Sequence, residues 1–241
     1  MFLKEFFNVT SQGIEITAKQ ASHFAKKVAG DFNPIHDVGA KRFCVPGDLL
    51  FAVILEKYGL SQQMSFNFEG MVSEGVELLF PNESAPQMTI QDNRNKTYLN
   101  VCQQGEVSHS PQQIEAFIRS YVAFSALNFI HILIPMMEKQ QVMISPTRPL
   151  VIYDSMSFHL SHFDFESIRL ALINQQLTVN GKRGDAVLEF ALFDGDKQIG
   201  TGRKTLVLSG LRELEPTALR ALYDEYESRR LKGCEAFQSI A

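Results

Sequence analysis

The sequence predicts an α+β chain in which one buried apolar helix and a run of antiparallel strands occur twice. Three observations carry that prediction. Residues 48–58 are apolar almost throughout, with Leu49, Leu50, Phe51, Ala52, Val53, Ile54 and Leu55 in succession, and the run stops at Gly59; such a helix has no face for water. Residues 112–138 form a second, longer helical stretch that begins after Pro111 and is apolar on most faces. Each helix is followed by several strand-like segments separated by turn residues.

The elements follow in order. Residues 7–17 read as a short hairpin turning at Ser11-Gln12-Gly13, and Thr17 caps a helix over 18–28. A loop from Asp31 to His36 leads towards the apolar helix at 48–58. Strands are predicted at 66–72, 76–80, 87–91 and 97–102, with Asp92-Asn93-Arg94-Asn95 turning into the last. Beyond the second helix, strands are predicted at 150–160, 168–179, 186–193 and 198–208. Asn180-Gly181-Lys182-Arg183-Gly184 and Asp194-Gly195-Asp196 supply hairpin turns between them. Apolar residues occupy both parities of 187–193, so that strand is expected to be covered on both faces. A final helix over 216–232 carries its charges on an exposed side and ends at Gly233.

The two series echo each other. Met64-Ser65-Phe66-Asn67-Phe68 resembles Met156-Ser157-Phe158-His159-Leu160. At the same offset Glu74 falls opposite Glu166, Leu78 opposite Leu170, and the run 96–102 opposite 188–194. A sheet wrapped around a central helix is the hotdog architecture, so the expectation is a tandem (double) hotdog. Residues 1–110 form one half and residues 111–241 the other, with the terminal helix. Single hotdogs cover a sheet edge and a helix flank by pairing, and a fused pair supplies both partners from one chain. A homodimer of such chains is compatible with the pattern but not required by it.

A chain of 241 residues, 45% apolar and 21% charged, can close a substantial core. Its formal charge of -4 and lack of a basic stripe argue against a nucleic-acid partner. Cys44, Cys102 and Cys234 are odd in number and far apart. They offer neither a disulfide framework nor a zinc spacing, which points to a reducing, cytoplasmic setting. The start Met1-Phe2-Leu3-Lys4-Glu5 lacks the order of a signal peptide. The apolar run 122–137 is interrupted by Asn128, His131 and Pro135, so it reads as a core helix, and a soluble protein with no membrane partner is expected.

The chemistry-bearing segment is Ala29-Gly30-Asp31-Phe32-Asn33-Pro34-Ile35-His36-Asp37, with Pro46-Gly47-Asp48 opening the buried helix. Within six residues it places the carboxylate of Asp31, the carboxamide of Asn33 and the imidazole of His36, in a loop shaped by Asn33-Pro34. The amide of Gly47 stands at the positive end of the helix. A base, its orienter and an oxyanion donor are what proton or water chemistry at a carbonyl requires.

Gly30-Asp31-Phe32-Asn33-Pro34-Ile35-His36, followed by Ala40, Phe43 and Val45-Pro46-Gly47, resembles the signature of MaoC-like hydratases and dehydratases. Those are hotdog proteins acting on acyl thioesters of coenzyme A or acyl carrier protein. The chain as a whole also looks like an uncharacterised bacterial family of this length. The resemblance implies hydration of a trans-2-enoyl thioester to a 3-hydroxyacyl thioester, or the reverse. By it, Asp31 and His36 hold and activate a water, Asn33 fixes their orientation, and the Gly47 amide stabilises the enolate oxygen. Pro34, Phe43, Pro46, Lys41 and Arg42 become substrate-contact candidates, the last two for a pyrophosphate. No metal and no cofactor is implied. The chain departs from the pattern in two places: Pro46 stands where the family usually has histidine, and the stretch between His36 and Gly47 is shorter than in typical members; Asp48 also puts a second carboxylate beside the oxyanion site. No second Asp-x-Asn-Pro-x-His motif occurs between Pro111 and Asp154, so one site per chain is expected. Two further readings stay open on the same residues: thioester hydrolysis by a carboxylate-activated water, and acyl binding without chemistry.

Other motifs read as structure. His159, His162 and Asp164 cluster in sequence, but strand parity sends the two imidazoles to opposite faces, against a metal site. Asp194-Gly195-Asp196 has no further acidic ligands at loop spacing and is a turn.

Overall fold

The computed structural model describes residues 2–146 and 150–238, with residues 234–238 as backbone alone. Seven strands form one antiparallel sheet: β1 (Leu60–Phe68), β2 (Gln87–Gln91), β3 (Thr97–Ser108), β4 (Leu150–Leu160), β5 (Arg169–Asn180), β6 (Arg183–Asp194) and β7 (Lys197–Ser209). They run in the order β2-β3-β1-β4-β7-β6-β5. The α-helices are α1 (Ala18–His23), α2 (Gly47–Tyr58), α3 (Pro111–Ala126), α4 (Ile134–Lys139) and α5 (Pro216–Gln238). The class is therefore α+β with a large antiparallel sheet, as expected.

The sequence echo has a physical meaning at the centre of this sheet. β1 and β4 pair antiparallel with Ser65 opposite Ser157, Met64 opposite Phe158 and Phe66 opposite Met156. The two Met-Ser-Phe segments thus meet head to tail about the serine pair. All four large side chains share a parity and are buried, so the seam is a block of cross-strand apolar pairs. The rest of the expected echo is corrected. Cys102 of β3 sits opposite Ser65, whereas Arg203 of β7 sits opposite Ser157. β3 therefore matches β7 by position in the sheet, and the 188–194 run belongs to the next strand out. A constant offset fails because β5 and β6 form a long hairpin for which the first series has no equal.

Residues 48–55 of α2 are all buried, as a helix without a polar face must be. Phe51 meets Phe66 of β1 at 5.2 Å between ring centroids, and Tyr121 and Phe117 of α3 at 4.7 and 6.2 Å. Phe117 in turn meets Phe158 of β4 at 4.6 Å. One aromatic stack thus ties both helices to both sides of the central seam. A second apolar cluster gathers Ile130, Leu133 and Met137 with Leu188 and Leu208 of the sheet and Leu219 and Tyr226 of α5.

Several boundaries differ from those predicted, for identifiable reasons. β1 starts at Leu60, because Gly59 at φ 92° reverses the chain at once; a Cβ there would lie 2.6 Å from Val107 Cγ1. The strand expected at 76–80 shrinks to Glu77–Leu78, which joins the predicted N-terminal hairpin in a small three-stranded ribbon. Thr17 caps α1 through a capping box with Gln20, but the helix widens into a π-helical stretch over Phe24–Ala29. The long helix expected to reach 138 breaks after Ala126, passes through a π-helical turn at Phe129–Leu133 and resumes as α4, bent by 44°. Pro135 cannot donate to His131 and its ring crowds that carbonyl, and a widened turn relieves both problems. α5 does not stop at Gly233 but runs through it to Gln238. Among the described residues no single helix is long and apolar enough to cross a membrane; the bent pair passes that test only when its two parts are taken together.

Phe51→Ala is expected to cost about 3–5 kcal/mol, at the top of the range for buried aromatics, because it empties the stack joining both helices to the sheet. A urea midpoint unchanged by the substitution would show that the stack does not hold the two helices.

Candidate active site

The Asp31–His36 loop is built by local hydrogen bonds. Gly30, at φ 72°, closes the π-helical stretch in the left-handed region and turns the chain outward. The Asp31 amide donates to the Ala25 carbonyl at 2.7 Å, while Asp31 Oδ1 accepts from the Asn33 amide at 2.9 Å. Asn33 Oδ1 accepts from the Ile35 amide at 3.2 Å and caps a 3-10 turn over Pro34–His36. That turn presents the His36 ring. Its Nδ1 lies 2.6 Å from the Cys44 carbonyl oxygen, an acceptor only, so Nδ1 carries a proton, and in the neutral ring Nε2 has the lone pair. Nε2 faces Asp31 Oδ2 at 3.6 Å, with the two side chains 12% and 22% exposed.

Asp31, Asn33, His36, Pro46 and Gly47 line one cavity of about 330 Å³, whose other walls are largely apolar. Gly47 is the first residue of α2, and its bareness is required: a Cβ would come within 2.9 Å of Tyr153 and 3.1 Å of Phe68. Those two rings pack at 4.4 Å across the helix start. The other substrate-contact candidates do not reach this cavity. Pro34 lines a neighbouring cleft of about 240 Å³ beside α5. Phe43 is half-buried against the main core, and Lys41 and Arg42 are exposed on a turn. Asn33 holds the loop through its backbone amide and its capping oxygen rather than by a side-chain bond to Asp31 or His36. Cys44 also lines the cavity, but burial pushes its thiol up to about 11, so it stays protonated and unreactive at neutral pH.

Two sets of residues at the site were, Asp48 apart, not recognised in the sequence. The first comes from α5, where the Tyr226 hydroxyl donates to Asp31 Oδ1 at 2.8 Å. Burial, with the adjacent Asp31 carboxylate, holds that phenol well above its usual range, so it remains a donor. One turn on, Arg229 pairs with Asp37 at 2.9 Å, and Lys26 pairs with the same carboxylate at 2.6 Å. Nothing in the local sequence links residues so far apart.

The second set is a buried polar wall. Asp48, Ser125, Asn128 and Lys204 are all buried and all line the cavity. Lys204 Nζ donates to Ser125 Oγ and lies 4.0 Å from the centre of the Tyr153 ring. Tyr153 and Tyr121 join hydroxyls beside it. Burial pushes the Asp48 carboxyl up, opposed by Lys204 and a hydrogen bond with Ser125. Burial pushes the Lys204 ammonium down, opposed by Asp48 and Asp31. Asp48 thus points inward beside Gly47, with a cation close by. Lys204 shares strand parity with Leu206 and Leu208, and that inward-facing cation on an apolar strand face is the signal that could have revealed it.

Residues 1–217 match the family described as protein of unknown function DUF3581, and the chain belongs to that family. No protein with a curated description matches. Among solved structures, a MaoC-like dehydratase aligns over 84% of this chain and 97% of its own at 9% identity and a TM-score of 0.42. An acyl-CoA thioesterase II from Mycobacterium marinum aligns over 90% and 99% at 10% identity and 0.40. A hot dog fold protein from Alicyclobacillus acidocaldarius aligns over 87% and 98% at 7% identity and 0.40. Likenesses this distant carry no argument about the reaction.

The Asp37 contacts generate a test of how α5 is held. Burial alone would raise the Asp37 carboxyl, but hydrogen bonds and charge from Lys26 and Arg229 outweigh it and the net shift is downward. A carboxyl depressed on folding stabilises above its unfolded value and loses that contribution as pH falls through its folded one. Asp37→Asn is expected to destabilise by at most about 1 kcal/mol at neutral pH, since the partners are partly exposed, and to speed amide exchange in α5. The difference from wild type should fade as pH drops below 3.8. A gap that persists in acid would assign the effect to something other than this charge.

Proposed function

We propose that this chain is an acyl-thioester hydratase or dehydratase on a double-hotdog frame, with residues 1–110 and 111–241 as its halves and a single site at Asp31 and His36. The carrying observation is the pair itself: Asp31 Oδ2 and His36 Nε2, 3.6 Å apart, both on the wall of a largely apolar cavity that also holds the start of α2. With Nδ1 committed to Cys44, both facing atoms are acceptors when the imidazole is neutral. One water seated beside the pair could donate a hydrogen bond to each, with an oxygen lone pair free. Convergence of this kind favours catalysis over acyl binding alone.

In hydration, that water's oxygen bonds to C3 of a trans-2-enoyl thioester as the C2–C3 π electrons move towards the thioester carbonyl. Asp31 or His36 takes one water proton and returns it to C2 as the enolate collapses, so the sum is addition of one water. Dehydration is the same path reversed. The Gly47 amide and the positive end of α2 would stabilise the enolate oxygen. Asp48 beside it would oppose that charge if ionised, but burial favours its neutral form and Lys204 offsets it. Lys41 and Arg42, exposed before α2, are proposed to meet the phosphates of coenzyme A or of a carrier-protein arm.

Asp31→Asn and His36→Gln are expected to lower the turnover of short trans-2-enoyl-CoA by about 10²–10⁴ with the fold retained. Loss of the enoyl chromophore and release of free thiol should be followed separately. Thiol release without enoyl loss would replace the proposal with hydrolysis, and activity near wild type in either variant would remove the site. Reversing the charge at Lys41 and Arg42 together should raise KM for the CoA ester and leave kcat in place; an unchanged KM would clear that turn of any role.

A further inference from the structure

Asn128 is a polar residue of the cavity wall that the proposed reaction does not use. It stands where α3 breaks into the 129–133 turn and is 3% exposed, yet neither its Oδ1 nor its Nδ2 has a hydrogen-bond partner. A carboxamide can donate two hydrogen bonds and accept two, and one left buried with none is rare in protein interiors. Two more groups on the same wall have capacity to spare. Asp48 Oδ1 is buried without a partner. The Lys204 ammonium has three donors and directs them to Ser125 and the Tyr153 ring. The residues that carry these groups line one cavity together, and a hydrocarbon chain there would satisfy none of their polar atoms.

Resting on the thioester reading above, we infer that the acyl group taken by this cavity carries a second, neutral oxygen function, a hydroxyl or a carbonyl, and that Asn128 is the residue that reads it. A hydroxyl accepts from Nδ2 and donates to Oδ1 or to Asp48 Oδ1, whereas a carbonyl accepts from Nδ2 or Lys204. A carboxylate is disfavoured, because it would lie in a largely buried cavity that already holds the Asp31 carboxylate and would offer no donor to Asn128 Oδ1 or Asp48 Oδ1. The volume of about 330 Å³ lies at the low end for ligand pockets, so the chain is short. Discrimination of this type is strong, because the unadorned analogue leaves the buried amide unpaired in the complex.

The test is calorimetric titration of the full chain with CoA analogues in which a CH2 separates the sulfur from a saturated acyl carbonyl, so that they can be neither hydrated nor hydrolysed. The set comprises hexanoyl, 4-, 5- and 6-hydroxyhexanoyl and 5-oxohexanoyl forms. The best oxygenated analogue is expected to bind about tenfold or more tighter than the hexanoyl form, and Asn128→Leu should bring that ratio to about one. Equal or tighter binding of the hexanoyl form by wild type overturns the inference, as does a ratio that Asn128→Leu leaves unmoved. Should the leucine variant not fold, Asn128→Ala is read in the same way. Selective binding by a chain that hydrates no enoyl-CoA retains this inference and removes the hydratase. Hydration without selectivity does the opposite, and no binding of any analogue removes both.

Discussion

A helix with no polar face must be enclosed on every side, and α2 sets that condition for the whole molecule. Its residues 48–55 are all buried; a fully buried large apolar side chain contributes about 1.5–3 kcal/mol, so exposing even one flank would forfeit a large part of a typical domain's net stability. A three-stranded sheet from the same part of the chain cannot close around it. Closure comes from pairing β1 with β4 and from laying α3 alongside, with Phe51 as the point where all these surfaces meet. The same enclosure carries the start of α2 inside. Gly47 and Asp48, the first two residues of α2, therefore line a cavity.

Bringing a helix start indoors has an electrostatic consequence. Asp48 in the first turn suits the positive end of the helix, but at 8% exposure its charge would be costly. Lys204 and Ser125 answer it from the sheet and from α3. Buried ionisable groups are weak evidence for stability, since an apolar replacement often does as well. Their presence beside Asp31 and His36, in a cavity wall that also keeps an unpartnered amide, is better explained by a ligand than by the fold. The fold supplies apolar packing around these groups but no hydrogen-bond partner for Asn128.

What could be read from the sequence was what short-range physics determines. The Asp31–His36 loop is shaped by side-chain bonds between residues two apart, so its order of residue types was enough to show it, and Thr17, Gly59 and the hairpin turns behaved likewise. The Met-Ser-Phe echo was legible, though not its meaning as an antiparallel seam. Long-range choices were hidden. The break at Asn128 depends on how a proline seven residues later is accommodated. The match of β3 with β7 depends on the inserted β5–β6 hairpin, which defeats a constant offset. Lys204 could have been found by parity, but Tyr226 lies 195 positions from Asp31 and no periodicity links them.

That remote contact determines how the candidate base is aimed. Asp31 Oδ1 is held twice, by the neighbouring Asn33 amide and by the Tyr226 hydroxyl. Two donors on one oxygen stop the carboxylate from rotating and leave Oδ2 turned to His36. The helix carrying Tyr226 is anchored at Leu219 in the second apolar cluster and passes so close to the loop that a Cβ on Gly233 would come within 1.8 Å of the Phe32 ring. α5 therefore acts as a strut between that cluster and the reactive loop. Tyr226 lies beyond residue 217, where the family match ends. The shared part of the chain supplies the sheet, α2 and the Asp-His pair, and the following segment sets the angle at which that pair meets the cavity.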